Sequence, residues 1–276
     1  MKKLLAYPLL SLAMLLSLAG ANLFAEEFTF GVVPQFTTQK INDIWSPLLA
    51  ELSARSGDTY TLTIEPDINE FESAFQRGDY DFAYMNPWHG VVANEAQGYL
   101  PIIRDGASTL KGVLVVRADS GINRIEQLER PEIAFPSPNA LGASLLMRAE
   151  LATLHNIEVS PLYVRTHPSV YLNVALGKSI AGGGVMRTLR AQPSAIQEQL
   201  KVIHETREIS PHPISVHPRV SSEARDRFIS AVNQAAASTR GATLFAEVPI
   251  QEPAAASLDD YLILRNWNLG DFYVQN

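Results

Sequence analysis

Apolar positions change period several times along this chain, and each change marks an element. Residues 28–33 alternate in the manner of a strand, and Pro34 closes it. Ile41, Ile44, Trp45, Leu48, Leu49 and Leu52 then recur at helical spacing, which predicts one amphipathic helix over 41–55. A second alternating run covers 60–65; Asp67 is a good N-cap for a helix running to position 77, and Gly78 ends it. Residues 80–84 read as a buried strand, with Asn86-Pro87 as the break before a helix over about 88–97. Strand, helix, strand, helix, strand is a parallel α/β signature. Strands at 99–104 and 111–117 follow, the second ending in the polar turn 118–121.

From there the pattern restarts. It predicts a short helix at 125–128, a strand at 132–135, a loop at 136–139, a helix from about 141 to 155 and a strand near 163–166. His167-Pro168 opens another helix that Gly177 ends; residues 180–185 lead into a segment beginning near Met186, and 201–206 is the last strand of the series. Pro211 and Pro213 mark a crossing segment, and 214–276 is mainly helical, with a clear helix near 222–238. The fold class expected is α/β with two lobes. Residues 26–113 form the first part of lobe 1, 114–212 form lobe 2, and 213–276 return to lobe 1 with the C-terminal helices. Such lobes place a cleft where strand C-termini meet helix N-termini, a usual location for a small ligand.

Composition narrows the class. The 276 residues include no cysteine, 18% are charged and 46% apolar, which excludes a disordered chain, a disulfide scaffold and a thiolate metal site. Residues 1–25 begin Met1-Lys2-Lys3, continue as an apolar run from Leu4 to Ala19 and end in small residues, the pattern of a cleaved secretory signal peptide. Cleavage falls after Ala21 or Ala25, the later site being preferred because Phe28 begins the first strand. The run is short for the roughly 20 apolar residues of a membrane span, and Ala21 stands where a lipid anchor needs cysteine. A periplasmic location is expected. The formal charge is −7, from 22 basic and 29 acidic residues, and becomes −9 once Lys2 and Lys3 are removed. No nucleic-acid partner is expected of so acidic a chain.

Candidate chemistry gathers at strand-to-helix junctions. Gly182-Gly183-Gly184, after a predicted strand and before Val185-Met186-Arg187, reads either as a loop that aims amides at an anion or as a tight packed turn. Arg187 either adds a charge-assisted bond or sits in solvent. Ser137, Asn139 and Ser144 in the loop before the second lobe's long helix either cap that helix or hold a ligand oxygen. His167 sits at a third junction, where its imidazole can meet an oxyanion. Tyr84, Asn86, Trp88 and His89 form the first lobe's junction, although Tyr84 and Trp88 fit a plain core equally well. His204, His212 and His217 raise the thought of a metal, but proline-flanked histidines lack the helical spacing of a zinc motif, so no metal and no other cofactor is expected. There is no Gly-x-Ser-x-Gly elbow, phosphate-binding Gly-Lys loop, His-Glu-x-x-His or cysteine nucleophile, which favours binding over catalysis.

Taken in order, the exported start, Phe30-Gly31-Val32-Val33-Pro34, the block from Gly78 to His89, the His167 helix start and Ala181-Gly182-Gly183-Gly184-Val185 resemble the periplasmic phosphate/phosphite/phosphonate-binding proteins of ABC transporters. The resemblance covers essentially all of the mature chain. It implies a type II periplasmic-binding-protein fold, whose lobes close on a tetrahedral oxyanion and deliver it to a membrane permease, and a protein that acts as a monomer. It further implies that His167 contacts the anion and that the junction from Tyr84 to His89 lines the cleft. Three departures stand out. Gly90 replaces an aromatic that often follows in the family, Ala140-Leu141-Gly142 stand opposite a Ser-Thr-Ser run, and Ile180 falls at the cleft aspartate. The expectation is a non-enzymatic solute-binding protein for a small oxyanion. The alternatives are a sensing module for a membrane sensor kinase and an enzyme on the same fold with His89 or His167 as base.

Overall fold

A computed structural model describes residues 25–275. The expected signal peptide, apart from Ala25 at its end, and the alternative cleavage site after Ala21 lie outside the described residues. The chain opens with β1 (Glu27–Val32), α1 (Thr38–Ser56), β2 (Thr59–Thr63), α2 (Ile68–Arg77), β3 (Phe82–Tyr84), α3 (Pro87–Gln97) and β4 (Leu100–Asp105). Thr37 caps α1 by accepting from the Lys40 amide, and Gly57, at a left-handed φ of 82°, ends it. The apolar stripe seen in the sequence, Ile41 to Leu52, is the buried face of α1. β1 runs parallel to both β2 and β3, so each crossover carries a helix.

After Asp105 the chain crosses to a second sheet made of β5 (Gly112–Arg117), β6 (Glu132–Phe135), β7 (Ser160–Tyr163), β8 (Ala181–Val185) and β9 (Leu200–Glu205), in the order β7-β6-β8-β5-β9. A π turn, Leu141–Leu145, leads into α4 (Leu146–His155); α5 (His167–Ala175), α6 (Met186–Arg190) and α7 (Ser194–Gln197) complete this lobe. The strand expected near 163–166 ends at Tyr163, because Arg165 takes a left-handed φ of 77° that extended pairing does not allow.

A second crossing returns the chain to β10 (Ile214–Val216), which enters the first sheet between β3 and β4 and antiparallel to both. The tail adds α8 (Ser222–Ala236), α9 (Thr239–Glu247), β11 (Pro253–Ala255) against the β4 edge, and α10 (Asp259–Leu262). The first sheet is therefore mixed, in the order β11-β4-β10-β3-β1-β2. Its core is aromatic: Phe82 and Phe228 rings stack at 4.5 Å, with Phe30, Tyr60 and Trp45 around them. The two crossings are tied to each other by paired backbone bonds of 2.9 and 3.1 Å between Leu110 and Ile209, which makes a two-stranded hinge. No helix among the described residues is long and apolar enough to cross a membrane.

Candidate ligand-binding site

The C-terminal ends of β1, β3, β6, β7 and β8 point toward the interface between the lobes, and the second crossing passes beside them. They enclose a cavity of about 10 Å³, enough for roughly one water. A tetrahedral oxyanion is larger than this space, so the lobes must stand further apart than this both to admit it and to close around it. Polar groups reach the cavity from Gln35, Asn86, His167 and His212, while Val33, Ile68 and Val185 make an apolar wall.

The two histidines differ in support. His167 is the first residue of α5, capped by Thr166, and is 2% exposed. Its Nδ1 lies 3.3 Å from Thr188 Oγ1, which lies 2.7 Å from the Tyr171 hydroxyl, and that hydroxyl accepts from the Val185 amide at 3.2 Å. His212 Nε2 accepts from Gln35 Nε2 at 3.1 Å, which leaves its own proton on Nδ1, and its ring stacks on Tyr84 at 5.4 Å. Burial lowers the His167 imidazole from its usual 6.5 to about 4. Burial, with lesser effects of His89 and His167, lowers His212 to about 3. Both rings are therefore neutral at pH 7, each with one N–H to give.

The helix that opens at Leu141 supplies further donors. Ala140 stands at its N-cap without a side-chain bond, and its carbonyl accepts from the Ser144 and Leu145 amides at 2.7 and 3.2 Å. The amides of Leu141, Gly142 and Ala143 precede any acceptor in their own helix, and all three residues line the cavity. A helix start in this position favours negative charge.

Of the residues singled out in the sequence, Asn86 and His167 meet in the cavity. Asn86 also caps α3, its Oδ1 accepting from the His89 amide at 2.8 Å. Tyr84 lies behind His212, and Trp88 packs on Tyr273. His89 is fully buried on Glu72, 2.8 Å away. Ser137 is buried without a partner for its hydroxyl, and Ser144 accepts from Arg148 Nε at 3.2 Å. Asn139 bridges the lobes: its amide nitrogen donates to Glu72 at 2.9 Å and to the Val274 carbonyl at 2.7 Å, and its own carbonyl accepts from Asn86 at 3.1 Å.

The glycine run is not a loop. Gly182, Gly183 and Gly184 lie inside β8, in register with Val115, Leu114 and Val113 of β5. A Cβ on Gly183 would meet the Ala143 carbonyl, and one on Gly184 the Tyr171 hydroxyl, so the glycines let the sheet pack directly under the helix start. Arg187 faces away from the cavity and donates to the Glu247 and Val248 carbonyls at 3.2 and 2.8 Å. Ile180 is 48% exposed and is not among the residues that line the cavity. Among the described residues no group of three His, Asp or Glu side chains could hold a metal. Gln35 and His212 were not singled out as ligand groups. Gln35 is marked in the sequence only by following Pro34, and His212 only as a proline-flanked histidine considered for a metal.

Two α/β lobes joined by a paired hinge and closed over a cavity at their strand ends define a bilobed solute-binding protein of type II. Residues 30–261 match the family described as ABC transporter, phosphonate, periplasmic substrate-binding protein, and the chain belongs to it. It is thus the phosphonate-binding periplasmic component of an ABC transporter, whose partners are a small-molecule ligand and a membrane permease. A phosphonates-binding periplasmic protein of Escherichia coli (strain K12) is 25% identical over 232 residues, 79% of this chain and 68% of that one. The fold is shared with PhnD1 from Prochlorococcus marinus (MIT 9301) in complex with methylphosphonate, at a TM-score of 0.81 and 14% identity over 90% of this chain and 99% of that one. It is shared likewise with a binding protein component of an ABC phosphonate transporter from Pseudomonas aeruginosa, at a TM-score of 0.79 and 17% identity over 88% and 86% of the two chains.

Proposed function

We propose that this protein, exported with loss of its signal peptide and acting as a monomer, captures a small phosphorus oxyanion that carries no amine and hands it on unchanged. Methylphosphonate, phosphite and phosphate are of this kind. The observation that carries the reading is the neutrality of the cavity. Its polar groups are two neutral imidazoles, two side-chain amides and three helix-start amides, with no carboxylate among them. Glu72, the buried acid in this region, is engaged by His89 and Asn139. An oxyanion finds donors there, whereas an ammonium group would be stripped of water without a partner, at a cost of several kcal/mol. The wall of Val33, Ile68 and Val185 suits a P–CH₃ or P–H face.

Thermal-shift and calorimetric titration of the mature protein with methylphosphonate, phosphite, phosphate, sulfate and 2-aminoethylphosphonate tests this, because a ligand bound only by the folded state raises Tm. Methylphosphonate or phosphite is expected to raise Tm, with the rise lost in His167→Ala. A larger rise with 2-aminoethylphosphonate would overturn the amine-free reading.

A further inference from the structure

A groove of about 980 Å³ lies between the lobes beside the closed cavity. Three segments form the wall between them, each turning consecutive residues to opposite sides. Gln35, Val185 and His212 face the cavity, while Phe36, Met186 and Pro211 face the groove. Phe36 belongs to the first lobe, Met186 to the second and Pro211 to the crossing, so parting the lobes opens this wall.

The groove is cationic in a chain that is acidic overall. Lys40, Arg104, Lys111, Arg187 and Arg190 line it, against the two carboxylates Glu205 and Glu247. Arg104 and Lys111 are paired with acids, at 3.8 Å to Asp260 and 2.8 Å to Glu208. Arg187 is held by carbonyl oxygens only. Lys40 on α1 and Arg190 on α6 are exposed, come from opposite lobes and have no acid within ion-pair distance among the described residues.

We propose that the groove is the vestibule through which the anion reaches the cavity, and that Lys40 and Arg190 form an encounter site there which draws oxyanions in against the protein's net negative charge. The inference rests on the function proposed above for the cavity behind it. Local cations in a cleft raise the concentration of anions at its mouth and speed association, an effect that salt screens within a Debye length of about 10 Å at 0.1 M. Once the lobes have closed, the anion sits behind the wall on neutral groups. The two cations therefore govern capture and not release.

Stopped-flow tryptophan fluorescence with methylphosphonate, at low salt and at about 0.5 M salt, reads both rates in the wild type, Lys40→Gln, Arg190→Gln and the double variant. At low salt the double variant is expected to associate about fivefold more slowly, with release unchanged and the difference gone at high salt. An unchanged association rate, or a loss carried by release, overturns the proposal. Amide NMR at low salt with inorganic phosphate keeps the two readings apart. The amides of Lys40, Arg190 and Ala191 are expected to shift in the wild type and not in the double variant, whether or not the cavity fills. Groove shifts without any change at Ala143 or His167 for any phosphorus oxyanion would sink the proposed function and keep the vestibule. Cavity shifts with a silent groove would do the reverse.

Discussion

Thr188 Oγ1 lies 3.3 Å from His167 Nδ1, within reach either to donate to that nitrogen or to accept from it. The Val185 amide donates to the Tyr171 oxygen, whose own proton goes to the Val185 carbonyl at 3.0 Å or to Thr188 at 2.7 Å; when the Thr188 proton is directed at Nδ1, the imidazole proton is on Nε2. The Val185 carbonyl, 2.9 Å from Thr188 Oγ1, competes for the same Thr188 proton, and an oxyanion at Nε2 selects the arrangement with the imidazole proton there. Thr188→Val removes the hydroxyl at nearly constant volume. It is expected to weaken oxyanion binding about tenfold, with Thr188→Ser restoring it. Nitrogen-15 NMR of His167 should report loss of the Nε2–H tautomer in the valine variant; unchanged tautomer and affinity would show that Thr188 only packs.

Acid should unfold this protein through its cavity. His167 and His212 are held near 4 and 3, below the 6.5 of an exposed imidazole, with burial as the first cause in each case. Between those values and 6.5 the unfolded chain binds protons that the folded chain refuses, so stability rises with pH across that window and is lost as pH falls from about 6.5 toward 4. At about 1.36 kcal/mol per unit, each ring accounts for a few kcal/mol. Denaturant unfolding at pH 7, 6 and 5 should show the slope, and His167→Gln and His212→Gln should each flatten it. A profile as steep in the double variant would place the titrating groups elsewhere.

The first lobe was legible because α1 and α2 carry long apolar stripes with capping residues at both ends, and because β1 alternates over a full six residues. β10 and β11 were not legible, since three residues are too few for alternation to emerge, and their places are fixed by partners more than 100 residues away. Within the site, His167 announced itself by standing before a proline at a helix start. Gln35 and His212 did not, because each lines the cavity only once the two lobes have met. The glycine run reads as a loop or a tight packed turn, because local sequence does not distinguish glycines that turn the chain from glycines that let a helix start and a tyrosine press against a strand.

Asn139 should set the balance between closed and open lobes. It joins Glu72 of the first lobe, the Val274 backbone of the tail and Asn86 through bonds of 2.7 to 3.1 Å, all of which must part or shift when the cleft opens. Asn139→Asp keeps the shape and replaces the amide donor with a carboxylate facing Glu72. Like charges in a buried contact disfavour closure, and oxyanion affinity is expected to fall at least tenfold at pH 7. Small-angle scattering should give a larger radius of gyration for the variant with ligand than for the wild type with ligand. Equal radii and equal affinity would mean that Asn139 does not hold the lobes together.

Gly183→Ala separates a packing role from an anion-binding role for the glycine run. An alanine Cβ there would collide with the Ala143 carbonyl and the Phe135 ring, and a backbone carbonyl at a helix start has little room to give way. Overpacking of this kind costs about 1–3 kcal/mol, which denaturant unfolding reads as a lower midpoint at unchanged m. The same collision pushes the Leu141–Leu145 turn away from β8 and disturbs its amides, so anion affinity falls along with stability. Gly270→Ala is the control, since a Cβ there meets nothing within 4 Å. It is expected to leave both quantities as they are. If Gly183→Ala instead lost affinity with its unfolding midpoint intact, the run would be contacting the anion through its own backbone, and its place inside β8 would have to be revised.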